Sequence, residues 1–133
     1  MKIHPPGSRP TRIGPADSFT GNVQLDPIIG SDPAGLMANT VRFAPGARTF
    51  WHSHKLGQTL HVTAGAGYVC RRGAAPRAIR AGDTVWIPAD VEHWHGAGPE
   101  TSMTHIAIQA SPEGGETLWL DEVSEADYGS AAG

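Results

Sequence analysis

A chain of 133 residues has room for one hydrophobic core and little else. With 39% hydrophobic and only 17% charged residues it is too apolar for a disordered chain, and a net charge of −3 without basic blocks argues against nucleic-acid binding. The single cysteine, Cys70, rules out an intramolecular disulfide and fits a reducing compartment. Met1 to Pro6 carries no apolar run, so neither a secretory signal nor a membrane span is expected, and a cytoplasmic location follows as the default.

Residues 1–18 hold four prolines and two glycines without periodicity and read as an N-terminal arm draped over a surface. From Phe19 onward, short β-branched and aromatic runs are broken by Gly, Pro and Asp. They predict strands over 19–26, 36–43, 47–54, 58–64, 67–71, 77–80, 84–87, 93–97, 103–109 and 116–121. Ser124 is placed to cap a short helix over Glu125–Tyr128, whose acidic residues suit a helix N-terminus, with a frayed tail after Gly129. The organisation expected is therefore an arm (1–18), one all-β body (19–123) and a short helix and tail (124–133). Many short strands with Gly/Pro turns mean a sandwich or barrel, and a jelly roll suits the strand number.

Two segments concentrate the chemistry. In the first, Gly46 to Gly65, His52 and His54 lie two residues apart, so on a strand they share a face. Gly57 permits a turn, after which Gln58 can open the next strand and point the same way. A third histidine from the second segment, Gly82 to His95, could complete the set. Three neutral imidazoles and an oxygen donor suit a divalent first-row metal, whereas the His-x-His pair taken alone is equally a polar strand face.

The first segment resembles cupin motif 1, G-x5-H-x-H-x3,4-E-x6-G: Gly46, His52, His54 and Gly65 match, with Gln58 at the glutamate position. The second resembles motif 2, G-x5-P-x-G-x2-H-x3-N, through Gly82, Pro88 and His93, with Asp90 in place of glycine and Ala97 in place of asparagine. The resemblance implies a single-domain cupin, a double-stranded β-helix or jelly-roll barrel, with His52, His54, Gln58 and His93 as metal ligands. Further runs resemble the bacterial manganese-dependent cupin hydroxynitrile lyases: Gly14-Pro15-Ala16-Asp17, Phe43 to Thr49, Leu56-Gly57-Gln58-Thr59-Leu60, His93-Trp94-His95-Gly96-Ala97 and Met103 to Gln109. That resemblance implies interconversion of cyanohydrins with an aldehyde plus HCN, manganese as the metal, and pocket histidines at His95 and His105. Iron, nickel and zinc also suit such a donor set.

Gln58 in place of glutamate leaves the metal its full charge, which favours binding of an alkoxide, a carbonyl oxygen or cyanide. His95 follows His93 by two and is expected on the same inner face, as a further ligand, a proton relay or an orienting neighbour. His105 shares parity with Met103, Ala107 and Gln109 and is the candidate general base. Asn39, Val41, Phe50, Leu60, Val62 and Gln109 are candidate pocket walls, the apolar ones equally plain core. His61 and His4 receive no role. Trp51 and Trp94 are expected to face outward against another sheet or subunit, and Cys70 to be an unreactive buried thiol.

Three functions compete. The first is a metal-dependent hydroxynitrile lyase acting on a small-molecule substrate. The second is an iron-dependent dioxygenase or other oxidoreductase, and the third a non-catalytic module binding a metal or small ligand. A homodimer or higher homo-oligomer, formed through N-terminal strands, is expected with no nucleic-acid or membrane partner.

Overall fold

The computed structural model describes residues 1–30, 35–110 and 117–132. Among the described residues twelve strands precede one helix: β1 (Arg12–Ile13), β2 (Phe19–Thr20), β3 (Val23–Ile29), β4 (Leu36–Phe43), β5 (Arg48–Thr49), β6 (His52–His54), β7 (Gln58–Arg71), β8 (Arg77–Arg80), β9 (Thr84–Ile87), β10 (His93–Ala97), β11 (Met103–Ala110), β12 (Thr117–Trp119) and α1 (Glu125–Ala132). They pair antiparallel in the order β1-β3-β4-β11-β7-β10-β5-β2. β8 and β9 add to β7, β6 joins β10, and β12 joins β6. The sheet curls into a barrel, as the many short strands implied.

The 14-residue strand β7 serves both faces of the barrel. Its first half pairs with β11 and β9, its second with β10 and β8. Residues 58–64 and 67–71, expected as two strands, are thus one bent ribbon. Gln58, Leu60 and Val62 are buried in the first half; in the second, Val69 packs on the core while Cys70 pairs with outward-facing Trp94. The inward parity therefore switches from even to odd across Gly65–Gly67. Gly65 has φ +73°, and a Cβ at Gly67 would sit 2.0 Å from the Gly96 carbonyl oxygen, so only glycine lets the strands approach there.

Other boundaries also differ from the sequence reading. Arg12–Ile13, within the expected arm, pairs with Leu25 and Gln24 of β3. The run 47–54 breaks into β5 and β6 because Phe50 and Trp51 donate instead to the carbonyls of Ser18 and Asp121. The start of the last strand at residue 116 and the tail residue Gly133 lie outside the described residues.

Two cores result. Inside the barrel, Val23, Val41, Phe43, Val62, Ile79 and Met103 pack together with Ala47 and Ala97. On the outer face of β10, Trp51, Cys70 and Trp94 are covered by Val123 and Tyr128. The two tryptophans do face away from the barrel interior, but their cover is the C-terminal helix, not another sheet or subunit. α1 is capped as expected, Ser124 Oγ accepting from Asp127 N at 3.0 Å. It runs on to Ala132 because Ala131 still packs on the tryptophan cluster. Tyr128 Oη donates to the Ala97 carbonyl at 2.7 Å, and the Arg48 guanidinium lies 4.3 Å above the Tyr128 ring. Cys70 is buried and its thiol is pushed up by that burial, in keeping with an inert side chain. Among the described residues no helix is long and apolar enough to cross a membrane.

Candidate metal centre and active site

The site forms where β6, the start of β7, β10 and the inner face of β11 meet. His52 pairs directly with His93 across the β6–β10 ladder, and strand alternation turns His54 and His95 the same way. The turn between β6 and β7 depends on Gly57: φ is +76°, and a Cβ there would lie 2.5 Å from the Trp86 ring and 2.7 Å from the Ile87 carbonyl oxygen. Gln58 follows at once and points inward, 5% exposed. Asp90 takes φ 63°, the conformation that the glycine of motif 2 supplies freely and that aspartate tolerates. The substitution thus keeps the loop that delivers His93.

Four imidazoles converge. Ring centroids of His52 and His93 are 4.2 Å apart, those of His52 and His54 4.9 Å, and those of His54 and His93 5.5 Å. Ring nitrogens of His52, His93 and His95 lie within 4.8 Å of one another, a triangle that could hold a metal ion. That triangle takes in His95 with two of the four residues expected as ligands, and does not include His54.

Hydrogen bonding decides which atoms face the centre. His52 Nδ1 lies 2.8 Å from the Phe50 carbonyl, and His93 Nδ1 2.8 Å from the Val91 carbonyl. A carbonyl only accepts, so each Nδ1 carries the hydrogen and each neutral ring presents a bare Nε2. His54 Nδ1 is 3.1 Å from Thr117 Oγ1 on β12. Gln58 Nε2 donates to Gln109 Oε1 at 3.0 Å. The atoms left buried without a partner include His54 Nε2, Gln58 Oε1, His93 Nε2 and His95 Nε2. Buried polar atoms are normally satisfied, and orphans on neighbouring rings fit a cation that some of them would coordinate.

Burial keeps these rings uncharged. It holds His54 and His93 down to about 4, the neighbouring imidazole of His93 also acting on His54, and it drives His52 and His95 well below the ordinary histidine value. At neutral pH the centre is a set of neutral nitrogens and one amide oxygen. Metal ligation needs that protonation state.

A cavity of about 330 Å³ opens over the centre. His52, His54, Gln58 and His95 form its polar floor, and Asn39, Val41 and Gln109 line it as the sequence reading expected. Phe19 and Trp119 stand at its rim with ring centroids 5.7 Å apart, and Trp119 lies over His52 at 4.7 Å. No aspartate or glutamate is among the described residues lining it.

The remaining candidates fall elsewhere. Leu60 and Val62 are fully buried and do not line the cavity; Val62 belongs to the barrel core. Phe50 lies at the β5–β6 break, and it is its carbonyl, not its ring, that serves the site. His105 is fully buried behind His95, its Nε2 2.9 Å from His95 Nδ1, with its own Nδ1 unpartnered. Burial holds it down to about 4. The imidazole exposed to the cavity is thus His95. His61 bonds Thr84 Oγ1 on the outer surface at 2.8 Å, and His4 sits in the exposed arm.

Thr117, Trp119 and Phe19 were missed. The alternation of Thr117 and Trp119 within the expected last strand was a usable signal, but that β12 pairs with β6 is not written in local sequence.

Comparison with known proteins agrees with this architecture. The cupin domain model matches residues 39–108. A curated relative from Granulicella tundricola, named (R)-mandelonitrile lyase, is 48% identical over 96% of this chain and 98% of its own. The crystal structure of a cupin-like protein from Thermotoga maritima superposes with a TM-score of 0.86 at 41% identity, covering 90% of this chain and 91% of the other. A cupin-2 domain from Rhodospirillum rubrum, 17% identical, shares the fold with a TM-score of 0.73 over 96% of this chain and 82% of the other. With both motifs, the barrel and the inward histidine cluster in place, the chain belongs to the cupin domain family.

Proposed function

We propose that this cupin is a metal-dependent lyase that interconverts α-hydroxynitriles with an aldehyde plus HCN, and that its metal is manganese, held by His52, His54, Gln58 and His93. The observation that carries the reading is the donor set: buried, unpartnered imidazole nitrogens and one amide oxygen on neighbouring side chains, with no carboxylate among the described cavity-lining residues. The identity to a protein named (R)-mandelonitrile lyase supports it. A divalent ion in such a set keeps its full charge and acts as a Lewis acid toward an oxygen or cyanide anion.

The chain's own residues supply the rest. A cavity of about 330 Å³ suits a small substrate, and Phe19 and Trp119 offer an aromatic rim for its apolar part. His95 presents a buried, unpartnered Nε2 at the floor and accepts the proton of the substrate hydroxyl. His105 holds the far side of that ring by the 2.9 Å bond and so sets which nitrogen is bare. As the carbon–carbon bond breaks, the hydroxyl carbon becomes the aldehyde carbonyl and the bonding pair leaves with cyanide. Protonated His95 returns the proton to give HCN, and the reverse sequence makes the cyanohydrin.

The chain is also proposed to assemble as a homodimer or higher homo-oligomer. A row of outward residues across the sheet supports this, with Ile29, Ile108 and Trp86 exposed in register with Ala38 and Thr59.

The test is release of HCN from mandelonitrile by manganese-loaded protein, with elemental analysis of the same batch. Cyanide release that is lost in His52→Ala is the expected result. Iron content with oxygen consumption and no cyanide would overturn the proposal in favour of an oxidoreductase.

A further inference from the structure

We infer that Gln109 is a positioning residue that sets the direction of the Gln58 amide, holding its oxygen toward the metal centre and its nitrogen away. The inference rests on the cluster being a metal centre and is independent of the reaction performed there.

The two ends of a glutamine amide are nearly equal in size, so packing alone cannot tell them apart; only hydrogen bonding can. Only the oxygen is useful to a cation, because the amide nitrogen's lone pair is delocalised and its hydrogens would point at the metal. In this structure Gln58 lines the cavity beside His52 and His54, its Oε1 buried without a partner, while Nε2 is committed to Gln109 Oε1 at 3.0 Å. These are the two ends of one amide placement: the nitrogen is held by Gln109, which leaves the oxygen free for a cation.

Gln58 differs here from two of its co-ligands. His52 and His93 are oriented by the backbone carbonyls of Phe50 and Val91, which no side-chain substitution removes. Gln58 is oriented by a side chain on another strand, 51 residues away in sequence. A carboxylate at position 58 would need no such partner, since its two oxygens are equivalent. The neutral ligand that leaves the metal its full charge therefore depends on a second glutamine to point it.

The experiment compares wild type with Gln109→Met and Gln109→Glu. Methionine keeps length and bulk but offers no strong acceptor, whereas glutamate can only accept. Mn(II) affinity is measured by chelator competition on metal-stripped protein, alongside thermal unfolding of the stripped protein. Gln109→Met should bind Mn(II) about tenfold or more weakly while the stripped protein melts as wild type does. Gln109→Glu should bind within about threefold of wild type, or more tightly, since it keeps the acceptor and adds a charge. A methionine variant that binds within about twofold of wild type overturns the inference, as does a glutamate variant weakened about tenfold. Wild-type protein that binds no Mn(II) overturns the metal centre itself, and the inference with it.

Discussion

Acidification should unfold the metal-free protein well before ordinary surface titration would. His54, His93 and His105 are held down to about 4 by burial, against 6.5 for an exposed histidine. Between those values the unfolded chain binds protons that the native chain refuses, so stability is fully present above 6.5 and is lost as pH falls toward 4. At about pH 5 each such ring costs about 2 kcal/mol, and the three together about 6 kcal/mol. His52 and His95 are shifted in the same direction and add to the loss. A domain of ordinary stability has roughly 5–15 kcal/mol in total, so the stripped protein should approach its unfolding midpoint. Urea unfolding of stripped protein at about pH 7.5 and about pH 5 measures this directly. Mn(II) should restore stability at the lower pH, because the ion competes with protons for the same nitrogens. An unfolding free energy that does not fall between the two conditions would show that these rings are not buried neutral, and the donor set argued from them would fail.

Two further outcomes are expected. Gln58→Glu should retain Mn(II) affinity but lower cyanide release by about tenfold or more, because the carboxylate cancels one unit of the metal's charge; a rate equal to wild type would refute that role for the neutral ligand. Tyr128→Phe removes the 2.7 Å bond to the Ala97 carbonyl while keeping the ring on Trp94, and should cost about 1 kcal/mol, a fall of about 4 °C in Tm by calorimetry.

Much of the site was legible because strand alternation is a local property. His52 and His54 had to share a face, as did His93 and His95, and no tertiary information was needed to see it. The motif spacing then brought Gln58 and His93 into the same set, and in the structure the ring centroids of His52, His54 and His93 lie within 5.5 Å of one another, with Gln58 lining the same cavity. Alternation failed where it was carried too far. Leu60 and Val62 share parity with Gln58, yet they lie farther along β7, where the same face meets the barrel core and not the cavity. His105 has the expected inward parity, but the sequence offered no measure of depth, and His95 stands between it and the cavity. The tryptophans were read as facing outward, and they do; that α1 would fold back to cover them needed the Arg48–Tyr128 contact, made between residues distant in sequence.

Local chemistry, then, was enough to show which side chains share a face: residue type and a spacing of two dictate which can ligate and which way they turn from their own strand, while the motif resemblance singled out the candidate donors. What the chain could not disclose was how those strands meet. That β12 lies beside β6, that Gln109 reaches across to Gln58, and that His105 backs His95 are outcomes of closing one sheet into a barrel. Such contacts join segments far apart in the chain, and their geometry is set by the balance of burial and ladder hydrogen bonding over the whole barrel, a property that no short stretch of sequence contains.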